Sequence, residues 1–555
     1  MALYAATLGY GLVNYDDTWL YSDNWVVRQP SLASLKIIFG ELALDRRMVL
    51  GAEYLPIRDL SVMLDYAVWG TRYGGFHATS LALYLASIAL WFKALEAFGI
   101  DRRIAGITVL LWALHPTHAE SVAWLAERKG VLAMAFAGVA ALGYARFRTG
   151  ARAIWLALAM VAAICAVWSK AHGAFAIGAL AALEVALPGR QSWRRSLVGL
   201  GAIAAVAVAA FVPVIMLASS ATVIDSHQHA RDAATILGSH GFYLQQMLLL
   251  EKSSVSFPVA TSGPTSLDIA IGAAGLVLAA LAWRGPRELR AASGWWLVTW
   301  LPISHLIVTL QALVAERYLL VPSLGFALAV AVGISRIPIA RARYALVAAI
   351  VIACSLRTLI AREMWRDSET LWQNAVAVNP ADGGAWSMYG EVLMADGKPE
   401  RAQLVVDEGL RHSQHPRLLQ RKALFLVGTD RAAAISLLRR AADAGEYRAM
   451  TNLALLLHDD GKTDEALDWA RRAVAKAPLY AAGQRAVGKI ALATGRAAEA
   501  LPAFEHAYAL EPKNLANRFN LALALLALDR RAEARAHLEA CLADPELGPR
   551  ARSLL

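Results

Sequence analysis

Two adjacent carboxylates, Asp16 and Asp17, lie in NYDDTWLYSDNW (residues 14–25), where a short apolar opening stretch ends. An isolated Asp-Asp pair reads as two solvated carboxylates beside a helix cap. At the edge of a membrane-like segment, ionisable groups are costly and usually functional. There the pair becomes a candidate general base, able to accept a proton from an attacking hydroxyl. Asn24 and Arg28 follow close behind.

A second group sits in LHPTHAESVAWLAERKGVL (residues 114–132), which holds His115, His118 and Glu120, then Arg128 and Lys129. The spacing is HxxHxE, without the HExxH order and without a clear third ligand, so no metal site is assigned and a divalent ion is not favoured. As one continuous helix, this stretch would put Glu120, Trp124 and either Glu127 or Arg128 on a shared face. A guanidinium grips phosphate through two parallel hydrogen bonds and an ammonium acts as a point charge, so Arg128 and Lys129 suit a phosphate. Lys170, His172 and Lys252 add further basic groups. So does Arg317 in VAERYLLVPSLGF, with Glu316 beside it as its expected internal partner. Arg58 in YLPIRDLSVMLDYAVWG and His77 in GFHATSLALYLASIALW are supporting candidates; taken singly, they read as a surface charge and a helix-end residue. Cys165, Cys354 and Cys541 are too far apart for disulfide or metal spacing and read as buried small hydrophobes.

The elements that must position these groups are mostly membrane-like. At 555 residues the chain exceeds one ordinary domain. Its composition is 57% hydrophobic, yet the apolar residues are unevenly spread. Residues 1–361 carry long runs of Ala, Leu, Val, Ile and Trp, whereas 362–555 are charged, Ala- and Leu-rich helical sequence. Apolar segments are expected near 2–13, 74–98, 104–122, 130–146, 152–169, 173–187, 196–218, 267–283, 293–310, 318–335 and 343–361. The first is short against the roughly 20 residues a span needs. The opening MALYAATLGYGLV also lacks the basic region and cleavage site of a signal peptide.

The arginines fix an orientation. Arg102 and Arg103 follow the second segment, and Arg146, Arg148 and Arg152 the fourth. Arg190, Arg194 and Arg195 follow the sixth, Arg284, Arg287 and Arg290 the eighth, and Arg336, Arg341 and Arg343 the tenth. Eleven spans starting inside put every such loop in the cytoplasm, as the positive-inside rule requires. That placement also accounts for the net charge of +10 without nucleic acid. The Asp pair, the HPTHAESVAWLAERKG turn, the 219–266 segment, the AERY turn and the C-terminal half then share the outer face. YLPIRDLSVMLDYAVWG is expected to lie on that face as an amphipathic helix, its Leu55, Leu60, Met63, Leu64 and Val68 in the lipid and Arg58 and Asp59 toward the head groups.

From about residue 363 the chain repeats. Gly461 and Gly495 are 34 residues apart, as are Pro478 and Pro512. A 34-residue period, with Gly at the turn and Pro after the second helix, marks tetratricopeptide repeats, whose stacked helix pairs build a superhelix with a concave groove of a kind that commonly binds peptides, though the repeats alone name no ligand. The fold class expected is all-α: a multi-span membrane domain over 1–361, then a repeat superhelix over 362–555.

The order NYDDTWLYSDN, YLPIRDLS, GFHATSLALYLAS, LHPTHAESVAWLAERKGVLA, ERYLLVPSLGF and then the repeats resembles the transmembrane and tetratricopeptide-repeat-containing protein O-mannosyltransferases and their bacterial relatives. The resemblance runs over nearly the whole chain. It implies a C-type glycosyltransferase fold in an integral, multi-pass membrane protein with extracytoplasmic repeats. Such enzymes carry an acidic motif in the first outer loop, matched here by Asp16 and Asp17. They take the sugar from a polyprenyl- or dolichyl-phosphate, and the family's name implies transfer of mannose to Ser or Thr of a protein. No cofactor beyond the lipid-linked donor is implied. Two departures stand out: Leu55-Pro56-Ile57 where Arg-Pro-Leu is usual, and Gly130 where an Asp is usual. Outer cations holding a phosphate, opposite a carboxylate base, suit inverting sugar transfer. Transfer of whole oligosaccharides to protein or envelope glycan is a rival reading. So is a membrane-anchored scaffold, which would need no outer-face charges.

Overall fold

The computed structural model describes residues 2–187, 193–221, 232–307, 310 and 312–555, without the side chains of 45–46 and 218–221. Arg190 and residues 222–231 of the long outer segment lie outside the described residues. Among the described residues every regular element is a helix, so the all-α expectation holds. The chain divides into two compact units: 1–42, 49–220 and 226–379 in the first, and 43–48, 221–225 and 380–555 in the second. The units part later than the change in composition at 361/362.

The principal helices of the first unit are α1 (Pro56–Trp69), α2 (Tyr73–Ala97), α3 (Arg102–Leu114), α4 (Arg128–Arg148), α5 (Ile154–Ser169), α6 (Gly173–Ala186) and α7 (Trp193–Ala221). There follow α8 (Ala233–Leu249), α9 (Ser266–Ala282), α10 (Arg287–Trp300), α11 (Ser323–Ser335), α12 (Ala340–Glu363) and α13 (Ser368–Val378). Four helical stretches among the described residues, Tyr73–Ala97, Leu125–Arg148, Trp193–Leu217 and Ala340–Glu363, are long and apolar enough to cross a membrane. The chain is thus a membrane protein by composition and helix length. Helices α5, α6, α9 and α11 are apolar but have only 13–17 residues.

Three expected spans are cut short for local reasons. The opening segment forms an eight-residue 3-10 helix, Ala2–Gly9, about 16 Å long at ~2 Å per residue. The segment expected at 104–122 stops being helical at Leu114. His115 precedes Pro116 and is extended, the conformation a following proline imposes. Helix α10 gives way at Trp300 to a short 3-10 turn, with Pro302 two residues on.

Packing in this unit relies on small residues, which let helices approach closely where lipid removes the usual hydrophobic drive between them. Ala137, Ala140 and Ala141 of α4 and Ala159, Ala162, Ala163 and Ala166 of α5 are all buried in one core. A Cβ on Gly143 would lie 2.7 Å from the Trp155 carbonyl oxygen, so only glycine permits that approach. Trp91 meets Trp295 edge to face at 4.9 Å within the same core.

Arg148 ties together the far ends of α2, α4 and α6. It donates to the carbonyls of Leu187 (2.7 Å) and Phe98 (3.4 Å) and pairs with Glu184. Arg287 reaches the Gly99 carbonyl at the same end, 3.3 Å away.

The second unit is a run of antiparallel helix pairs from Gly383–Ala395 to Arg531–Glu539. Gly445, Gly461 and Gly495 turn the chain at φ 90°, 76° and 74°. At the next repeat Asp529 takes the same left-handed place at φ 58°, a conformation that Asp tolerates better than most residues. Ion pairs such as Arg439–Glu465 and Arg471–Glu499, both 2.5 Å, join successive repeats at the surface.

Candidate active site

The loop after Gly9 holds the two aspartates in different environments. Asp17 is 1% exposed, and its two oxygens accept from the Val13 amide (3.0 Å) and the Ala126 amide (2.9 Å). It fastens the acidic loop to the turn before α4. Burial, against the pull of these two amides, pushes its carboxyl up to about 7, with the Asp16 charge adding to the rise. Asp16 is half-buried, and its carboxylate accepts from the Trp19 indole at 3.2 Å. The loop is also clamped to α13. Ser368 accepts from the Asn14 amide at 2.7 Å, and Trp372 donates to the Asn14 carbonyl at 3.1 Å. Asn24 is a cap, accepting from the amides of Val26 and Val27, and Arg28 donates to the Ser22 carbonyl.

Beside the acidic loop stands an aromatic wall that carries Arg317. Tyr15 packs on Trp124 (centroids 4.9 Å apart) and edge-on to Trp372 (5.7 Å). Trp124 stacks on Trp365 at 5.2 Å. Arg317 lies over Trp124 (5.7 Å) and over Tyr318 (5.1 Å). None of Tyr15, Tyr318, Trp365 or Trp372 is marked by spacing in the sequence, because their neighbours come from distant segments.

The stretch 116–128 is not one helix, which corrects the shared-face expectation. It is a 3-10 turn at Pro116–His118, a short helix at Ala119–Ala123, and a second 3-10 turn at Leu125–Glu127 leading into α4. This broken path gives each acid a separate partner. Glu120 binds Arg317 twice, through the guanidinium at 2.6 Å and the backbone amide at 2.7 Å. Arg317 therefore pairs with Glu120 and not, as expected, with Glu316. Glu316 is buried, and burial followed by the charge of Glu120 raises its carboxyl well above the usual range. Glu127 pairs with Lys170, and Lys129 with Glu53 at 3.4 Å. Burial opposes the ionisation of Glu53, but Lys129 and Arg58 outweigh it and hold the carboxyl down at about 2.

Lys129, Lys170 and Arg317 form one cluster, and His172 lies among them. The side chains of Lys129 and Arg317 keep 17% and 15% of their surface open, and that of Lys170 keeps 11%. Each cation already has a carboxylate, so the cluster is charge-balanced with cationic faces still open. A Cβ on Gly130 would lie 2.6 Å from the Glu127 carboxylate, so the usual Asp would crowd the acid that holds Lys170.

Arg128 belongs elsewhere, a correction to its expected role. It is 1% exposed and bonded to Asp65 (2.5 Å), Ser80 (2.9 Å) and the Phe76 carbonyl (2.6 Å). Its donors are turned inward to α1 and α2, closed to a phosphate. Helix α1 meets its expectation only in part, since Leu55 and Met63 are buried. Arg58, Asp59 and Asp65 are buried, whereas Leu64 and Val68 are exposed. Arg58 pairs with Asp59 (2.8 Å) and Glu53 and donates to the Leu50 carbonyl, so it holds the Glu53 loop and does not face head groups.

The histidines are built into the fold. His115 bonds Thr117 (2.8 Å) and the Met247 carbonyl (3.2 Å). His118 bonds Tyr84 (2.7 Å) and Ser323 (2.9 Å). Both nitrogens of each ring are engaged, so neither residue is free to act as a metal ligand. His77 is buried in α2, edge-on to Tyr10 at 6.2 Å. Among the described residues, no group of three His, Cys, Asp or Glu is arranged to hold a metal.

An apolar cavity of about 420 Å3 opens between α3, α8, α11 and α12. Leu111, Met247, Phe326, Ile350 and Ala353 line it, with His115 and Ser323 as its polar groups.

Tetratricopeptide-repeat family models match residues 424–481 and 491–555. The protein O-mannosyl-transferase Tmtc2 of Drosophila melanogaster is 39% identical over 116 residues, 20% of this chain and 12% of that protein. The protein O-mannosyl-transferase TMTC3 of Homo sapiens is 22% identical over 399 residues, 63% of this chain and 43% of that protein. The curated relatives are thus protein O-mannosyl-transferases, and this chain spans less than half the length of those it matches. Among solved structures, YrrB, described as a tetratricopeptide-repeat protein with an unusual peptide-binding site, is 18% identical with a TM-score of 0.26. It covers 33% of this chain and 97% of its own.

Proposed function

We propose that this protein is an inverting membrane glycosyltransferase that moves mannose from a polyprenyl-phosphate donor to a Ser or Thr hydroxyl of a protein on the outer face of the membrane. The names of the relatives support protein O-mannosyl transfer. The observation that carries the mechanism is the asymmetry of the aspartates: Asp17 is locked by two backbone amides, whereas Asp16 remains half-exposed beside the aromatic wall. Asp16 takes the acceptor hydroxyl proton as the oxygen bonds to the sugar's anomeric carbon. The bond from that carbon to the phosphate oxygen breaks, and its electron pair leaves with the polyprenyl phosphate. Lys129, Lys170 and Arg317 stabilise that leaving charge; preorganised cations of this kind need no rearrangement at the moment of reaction. The donor's hydrocarbon tail lies in the apolar cavity, and the repeat unit captures the acceptor. The lipid-linked sugar is the only co-substrate, so turnover should survive EDTA.

Purified Asp16→Asn protein given labelled polyprenyl-phosphate mannose and an acceptor should lose about 10²- to 10⁴-fold in transfer rate, with its melting temperature unchanged. Wild-type turnover in this variant would remove Asp16 from the mechanism.

A further inference from the structure

His172 lies in the cation cluster with a ring nitrogen left unbonded. It stacks on Tyr318 with centroids 5.6 Å apart and planes 18° apart, which fixes its orientation. Its Nε2 is buried and has no hydrogen-bond partner. Burial, then the charges of Lys170, Lys129 and Arg317, hold the ring neutral, down to about 3. A neutral imidazole keeps one lone pair and one N–H. The three cations supply donors in excess, so a phosphate oxygen gains little from another. Among the described residues, the acceptors that the ion pairs leave over are one oxygen of Glu127 and the lone pair of this ring, and only the ring's is neutral. The part of a sugar phosphate that calls for an acceptor is a hydroxyl.

Resting on the reading of a sugar-phosphate donor, we propose that His172 is a specificity residue that accepts a hydrogen bond from a hydroxyl of the donor's sugar. Tyr318 holds the ring plane, and the cations hold the adjacent phosphate. The residue acts in donor recognition and does not take the acceptor's proton. Sequence reading marks His172 only as one more basic group; its neutrality depends on neighbours from three separate segments.

The test is equilibrium binding of polyprenyl phosphate and polyprenyl-phosphate mannose to wild type, His172→Phe and His172→Gln. Phe keeps the stack on Tyr318 and removes both nitrogens, whereas Gln retains a carbonyl acceptor. Wild type should bind the mannosyl lipid about 3- to 10-fold more tightly than the bare phosphate, the range of one neutral hydrogen bond. His172→Phe should lose that preference with unchanged affinity for bare polyprenyl phosphate and unchanged melting temperature, and Gln should restore part of it. Donors deoxygenated singly at C2, C3, C4 or C6 then locate the contact: with one of them, wild type and His172→Phe should bind alike. A wild type indifferent to the sugar overturns the proposal, as does a His172→Phe variant that keeps the preference. If it does not fold, wild type decides alone: binding all four deoxy donors as tightly as the mannosyl lipid overturns the proposal. Because these are binding measurements, absent transfer would count against the function reading alone.

Discussion

Ionising Asp17 inside the fold sets a pH dependence of stability. A carboxyl raised from 3.8 to about 7 by burial is protonated in the folded chain over a range where the unfolded chain is ionised. Stability contributed by this residue is therefore largest below 3.8, falls as pH rises through that window, and is flat above about 7. At ~1.4 kcal/mol per pH unit the window is worth up to roughly 4 kcal/mol. Melting curves in detergent should show this fall between pH 4 and 7, and Asp17→Asn should flatten it; an identical slope in both proteins would show that the carboxyl does not titrate there. The cations divide in the same way. Arg128→Ala leaves Asp65 buried and uncompensated and should cost about 3–5 kcal/mol, read as a lower melting temperature or failed insertion. Lys129→Ala removes a part-exposed group paired with the open Glu53. Its melting temperature should hold while affinity for the donor falls about 10- to 100-fold, as expected for one charge-assisted contact. If both variants behave alike, the division of labour drawn from their burial is wrong.

At the scale of elements, the apolar cavity between α3, α8, α11 and α12 gives a chain-length prediction. Ala353→Trp fills the cavity and should raise the KM for a long polyprenyl donor toward that for a ten-carbon analogue. The short donor's own KM should stay where it is; an equal rise for both would place the tail elsewhere. These elements were only partly legible in advance. The apolar stretches around 74–98, 130–146 and 343–361 could be read because composition alone makes long apolar helices. The buried charges of α1 could not. Its Leu64 and Val68 are exposed as an apolar outer face would be, while Arg58 turns inward to Glu53 and the Leu50 carbonyl, and Asp65 to Arg128. The acid–cation pairs were hidden for a related reason. Glu120 and Arg317 stand 197 residues apart, and Glu127 and Lys170 stand 43 apart. The second pairing exists only because Pro116 and the turn at Leu125–Glu127 break what looked like one helix. Asp16 and Asp17 were visible as a pair, but their unequal roles rest on two amide contacts, one from Ala126, that no local pattern encodes.

For the whole molecule, the first unit is polarised end to end. Ser80 of α2 and the first residue of α4 meet in the Arg128 network, and Lys170, just past α5, joins the cation cluster with Lys129. The opposite ends of α2, α4 and α6 are drawn together by Arg148 through Phe98, Glu184 and Leu187. Arg287 is seated on the Gly99 carbonyl at that second end, and Arg102 and Arg103 open α3 just after it. Basic residues gathered at one end mark the cytoplasmic side by the positive-inside rule. The proposed function needs the acidic loop, the cation cluster and, beyond α12 and α13, the repeats on the outer side, and fusions test that orientation. The 34-residue repeat was the most legible feature of the chain, because it depends on local turns such as Gly461 and Gly495 and not on distant contacts. Its sidedness rests entirely on the parity of the helices before it. Among the described residues, four helices meet the length of a full span and others are shorter. Alkaline phosphatase fused after Leu555 should be active in a bacterial host, and green fluorescent protein at the same place should stay dark. Fusions in the Arg102–Arg103 and Arg284–Arg287 loops should give the reverse pattern. A fluorescent C-terminal fusion would put the repeats in the cytoplasm and change the number of crossings by one. A dark fusion with phosphatase-active arginine loops would instead break the charge rule on which the orientation rests.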